Sequence, residues 1–123
     1  GKKEIPPVLT MTLSELSDSL YRNLRTLAPF GRGNPKPLFA FRSARVEKVF
    51  YFGSHKEHAR LTISDETGAR YDAVSFFVSR ASFKDTLQLV SVGDQVSLSG
   101  SFEQSFFGRK KELRLRLEQL TLV

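Results

Sequence analysis

Cysteine is absent from the 123-residue chain. That excludes disulfides and thiolate metal sites, so packing alone has to hold the fold together. Histidine is scarce: His55 and His58 are the only two, and no third ligand type clusters beside them, which makes a poor case for a metal site. Asp65 and Glu66 fall in a turn-forming run, where acidic residues are favoured for backbone reasons, so they make a poor acid–base pair. No apolar run approaches the roughly 20 residues needed to span a bilayer, and the N-terminus lacks the apolar stretch of a signal peptide. The expectation is a cytoplasmic protein with no membrane partner. Acidic charge is also short, with 13 Asp and Glu against 19 Lys and Arg, a formal charge of +6. That balance fits a polyanionic partner.

The chain does have ordinary globular material, 40% hydrophobic and 26% charged residues. One domain around one core follows, and the length is too small for an enzyme of two substantial domains. Gly1 to Glu4 read as a cut end, and the stretch from Ile5 to Leu9 runs extended because Pro6 and Pro7 restrict it. Leu13, Leu16, Leu20, Tyr21, Leu24 and Leu27 recur at three- and four-residue steps, and Thr12 with Glu15 forms a capping box. The spacing predicts a helix over Leu13 to Leu27, ended by Pro29. A rigid joint with prolines at 29, 35 and 37 follows.

From Leu38 the period is that of strands. The pattern predicts a long, bent strand from Leu38 to Phe52, a second from Ala59 to Ser64, and a hairpin turn at 65–68 leading into a third, Ala69 to Val78. Ser79 to Val90 reads as a short helix or irregular connection. A fourth strand is expected from Gln95 to Glu103, a loop from Gln104 to Lys111, and then a last strand. In that strand Leu113, Leu115 and Leu117 face inward, and a bulge falls near Glu118. The fold class predicted is mainly β: a five-stranded OB-type barrel over residues 38–123, preceded by a lead-in, helix and joint over residues 1–37.

One string is specific. Leu27 to Phe39, LAPFGRGNPKPLF, resembles the L-x-P-F-G-x-G-N-P-x-P-x-F signature of the RecJ family of single-strand-specific DNA exonucleases, in the DHH phosphoesterase superfamily. His58 to Thr62 is similar to that family's H-L-K-L strand, with alanine at the first leucine position. Tyr71 to Phe76 resembles its next strand, and Gly108 with Leu113, Arg114 and Leu115 its closing hairpin. The resemblance implies an OB domain that guides single-stranded DNA to a 5′–3′ exonuclease core, in DNA repair and recombination. It implies Mn or Mg in the parent enzyme's catalytic domain. Its partners would be single-stranded DNA, the parent's catalytic domains and a single-strand-binding protein. The Asp-His-His string of that catalytic domain does not occur here, so no catalytic residue and no cofactor is expected in this chain.

Cations next to aromatics are the residue types that hold a single strand, the first for phosphates and the second for base faces. The expected interface contains Phe106, Phe107, Arg109, Lys110 and Lys111 in the loop between the last two strands. Arg114 and Arg116 extend it along the last strand, and Arg60 and Lys56 lie around the second. Among the consecutive aromatics Phe50, Tyr51 and Phe52, at least one must point outward, with Tyr51 a candidate platform. Phe39, Phe41, Tyr71, Phe76 and Phe102 are expected in the core. Gly31 and Gly33 could offer amides to an anion, but the joint reads better as structural, with Arg32 and Lys36 as additional phosphate contacts. The alternative function is a docking module that takes an acidic protein partner, such as the tail of a single-strand-binding protein.

Overall fold

A computed structural model describes residues 5–107 and 109–123, with the side chain of Phe107 outside that description. The expectations about Gly1 to Glu4, Gly108 and the Phe107 ring therefore fall on undescribed parts. Among the described residues, six strands form one sheet: β1 (Val8–Thr10), β2 (Leu38–Phe52), β3 (His58–Ser64), β4 (Arg70–Ser75), β5 (Gln95–Phe107) and β6 (Lys110–Leu122). Their order is β1-β2-β3-β4-β6-β5. β5 returns to pair with β2, which closes the last five into the expected OB-type barrel. The extended lead-in does more than approach the barrel, because β1 pairs in parallel with the start of β2, Val8 opposite Leu38.

The leucine-rich segment is not one helix. The capping box at Thr12 is present, but it opens only a 3-10 turn, Leu13–Glu15, after which Leu16 is extended and Ser17 caps a separate helix, α1 (Asp18–Arg25). Tertiary contacts break the run. Leu13 and Leu16 are both buried in the barrel core, and the carbonyl of Leu16, which a continuing helix would use, accepts the Tyr71 hydroxyl at 2.8 Å. Leu20, Tyr21 and Leu24 of α1 pack against the core as the stripe requires, while Leu27 lies beyond the helix and is exposed.

β2 occupies the residues expected and bends as its length demands, with register shifts between Phe41 and Ala44 and between Val46 and Lys48. β4 is shorter than expected and stops at Ser75. The connection to β5 holds a 3-10 turn, Val78–Arg80, and a short helix, α2 (Lys84–Leu89). Most of the expected loop from Gln104 to Lys111 is instead strand. Phe106 pairs with Lys111 and Phe107 with Lys110, so the hairpin arms run nearly to their tip. Residues 102–107 pair with 110–115 without a break. The bulge near Glu118 is present: Ser99 pairs with Gln119 and Gly100 with Leu117.

Gly100 marks the closest approach of β5 and β6. A Cβ built there would lie 2.5 Å from the carbonyl oxygen of Arg116. Backbone cannot move aside as a side chain can, so Gly100→Ala is expected to lower stability by about 1–3 kcal/mol. Urea denaturation measures it, and an unchanged midpoint would show that the two strands can part freely.

Candidate nucleic-acid interface

The two register shifts in β2 cancel along its length. Phe39 and Phe41 point inward, the first shift brings Ala44 and Val46 inward, and the second restores the odd positions, so that Val49 and Tyr51 pack on the core. Tyr51 is thereby corrected: it lies on the inner face opposite buried Ala59, and Phe50, 48% exposed, holds the outward position with Phe52. Each bulge swaps the faces of every residue beyond it.

A row of rings and guanidinium groups crosses the outer face of β2, β3, β4 and β6. The Arg60 guanidinium lies 5.0 Å from the centroid of Phe50. Phe50 and Phe52 are parallel, with centroids 6.3 Å apart. Phe52 meets Phe76 edge-on at 5.9 Å, and over the Phe76 ring stand Arg116 at 4.5 Å and Arg114 at 5.6 Å. Phe76 was expected in the core. It is half-buried on the outer face instead, because β4 turns Tyr71 and Ala73 to the core and Asp72 and Val74 outward, and Phe76 has the parity of the second set. Phe39, Phe41 and Phe102 are buried as expected, and Tyr71 packs partly buried against them.

Glu103 orders the cationic end of the row. It sits directly across the ladder from Arg114, whose Nε donates to Oε2 at 2.7 Å; Arg116 donates from Nη2 to the same oxygen at 3.1 Å. Burial pushes the Glu103 carboxyl upward, but the two guanidinium hydrogen bonds outweigh it and hold it below the usual carboxylate range. It is ionised at neutral pH and holds both arginines beside Phe76. Asp72 plays a looser part beside Arg60, at 3.9 Å.

Of the expected site residues, Arg60, Arg114 and Arg116 thus share one surface. Arg109, Lys110 and Lys111 are exposed at the tip of the β5–β6 hairpin, where Lys111 Nζ stands 6.0 Å from the centroid of Phe106, itself 65% exposed. Lys56 is exposed in the turn between β2 and β3. The joint is closed on itself: Gly31 and Asn34 exchange two backbone hydrogen bonds, and Asn34 Nδ2 donates to the carbonyls of Leu27 and Pro29. The Gly31 amide is therefore committed to the turn. Arg32 is exposed on it, whereas Lys36 reaches a cleft of about 460 Å³ that Phe30, Arg114 and Arg116 also line.

Sequence reasoning missed Phe76 and Glu103. The signal for Glu103 was available, since its strand alternation places it outward and opposite Arg114. A signal for Phe76 was available too, since it has the opposite strand parity to Tyr71 and the two could not both face the core. Among the described residues no three His, Asp or Glu side chains converge as metal ligands would. Nor is any described helix long and apolar enough to cross a membrane.

Comparison with known proteins agrees with the fold. The RecJ OB domain family matches residues 9–119. The single-stranded-DNA-specific exonuclease RecJ of Bacillus subtilis is 30% identical over 96 residues, which cover 77% of this chain and 11% of that protein. An OBody bound to hen egg-white lysozyme superposes with a TM-score of 0.64 at 16% identity, covering 95% of this chain and 96% of its own. One chain of the S. pombe Stn1-Ten1 complex gives 0.56 at 16% identity, over 70% of this chain and 57% of that one. Asparaginyl-tRNA synthetase of Entamoeba histolytica gives 0.65 at 10% identity, covering 97% of this chain and 24% of the enzyme. At such identities the solved structures speak for the fold alone.

Proposed function

The chain belongs to the RecJ OB-domain family, and from that premise we propose that it holds single-stranded DNA on the outer face of β2, β3, β4 and β6, as the guiding domain of a RecJ-like 5′–3′ exonuclease. The observation that carries the reading is the row from Arg60 and Phe50 through Phe52 to Phe76, Arg114 and Arg116. Its rings offer faces to bases of any identity, and its guanidinium groups offer charge to phosphates. The exposed cations of the hairpin tip extend the path.

Charge within the row is partly neutralised by Glu103 and Asp72, so the arginines there act more by orientation than by bulk charge. The salt dependence follows. With about three phosphates contacted, log affinity should fall against log salt with a slope of about −2, at about −0.7 per contact. Fluorescence anisotropy with a labelled oligothymidylate reads the slope directly. No salt-sensitive binding would end the proposal.

A second reading is favoured by the cleft where Lys36, Arg114 and Arg116 meet Phe30, which could take the acidic end of a protein partner such as a single-strand-binding protein. If an acidic peptide binds there and the oligonucleotide does not, this reading replaces the first.

A further inference from the structure

Phe77 stands outside the row and is held there against its own preferences. Its backbone is left-handed, φ 52° and ψ 64°. Glycine or asparagine adopts that conformation readily, while a bulky side chain adopts it only under constraint. Its ring is also 48% exposed, so no core packing accounts for an aromatic residue at this position.

The surroundings hold it firmly. The Phe77 N–H donates to His58 Nδ1 at 3.0 Å, and the two rings meet edge-on at 4.7 Å. The next residue, Val78, is buried and donates its N–H to the Glu57 carbonyl at 2.9 Å. His58 also touches Phe52 at 5.2 Å and Phe76 at 5.1 Å, so aromatic contact runs unbroken from Phe50 to Phe77. Over the Phe77 ring lies the Arg80 guanidinium, 4.9 Å from its centroid. Phe76, Phe77, Arg80 and Arg116 border a shallow cleft of about 390 Å³, which Glu118 also lines.

Neither the backbone nor solvent favours phenylalanine here, and an exposed ring beside a guanidinium suits a ligand with a flat π face and negative charge. We propose that Phe77 and Arg80 form an additional nucleotide subsite, at which one base of the single strand stacks on Phe77 and a neighbouring phosphate meets Arg80. The subsite rests on the reading of the outer face as a single-strand platform. It lengthens that platform past the end of β4, towards α2, onto a segment that strand pairing does not reach.

The test uses the 123-residue chain with Phe77→Asn, which suits left-handed backbone and removes the ring. Affinity for oligothymidylate should fall about tenfold, the effect of losing one base–aromatic stack, while the thermal midpoint stays level or rises. In Phe77→Trp the indole fluorescence should be quenched on titration with the same oligonucleotide. If the wild type binds and Phe77→Asn binds equally well, the subsite falls and the broader platform stands. If Phe77→Asn loses stability and affinity together, Phe77 is a structural prop and the subsite falls likewise. If the wild type does not bind, the platform itself is wrong and the subsite goes with it.

Discussion

Replacing Phe50 and Phe76 together by alanine is expected to weaken single-strand binding by about 2–5 kcal/mol while leaving the barrel folded. Each ring is a separate stacking face, worth about 1–3 kcal/mol per base, and the two touch only through Phe52, so their losses should nearly add. Phe76 carries a second effect. Arg114 and Arg116 lie against it, and without that support their guanidinium groups keep only Glu103 to hold them. Anisotropy titration of the double variant against each single one separates these contributions. A double variant that binds within twofold of the wild type would refute the proposed platform, provided its thermal midpoint shows it is folded.

The largest effect on stability is expected inside the barrel, at Phe102. Three rings meet it edge-on: Tyr21 of α1 at 5.9 Å, Tyr71 of β4 at 6.0 Å and Phe39 of β2 at 6.4 Å. It therefore joins the helix to three strands of the barrel. Phe102→Ala should cost about 3–5 kcal/mol, the lost transfer energy together with the cavity left behind, against a total stability of about 5–15 kcal/mol for a domain. Urea denaturation measures it. A loss below about 1 kcal/mol would mean that α1 collapses into the space and that the rings act independently. The outer face does not include Phe102, so the folded fraction should bind as before.

These two positions also divide what could be read from the sequence. Phe102 was legible, because Val96, Leu98, Gly100 and Phe102 alternate and one face of that strand had to be core. The same rule located the β2 boundaries, the β3–β4 hairpin and the bulge at Glu118, where Leu117 and Leu120 fall out of step. The signature from Leu27 to Phe39 pointed to the family before any geometry was known. Phe50 was read only as one of three consecutive aromatics, although alternation from Phe39 and Phe41 already turns it outward: the two register shifts in β2 cancel, and odd positions face inward again by Val49.

What the sequence determined by itself was the set of local periods, the turns and the excess of cations, because each depends on residues a few positions apart. What only the tertiary structure decided was which groups share a surface. Leu16 left its helix because Tyr71, 55 residues away, takes its carbonyl. Phe76 lies outside the core because Ala73 shares the inner face with Leu115, while Val74, two residues before Phe76, pairs with Arg116 on the outer one. Arg60, Glu103, Arg114 and Arg116 meet across Phe50, Phe52 and Phe76 because barrel closure pairs β4 with β6. Closure brings together residues that no local pattern connects, and the candidate interface is made of such residues.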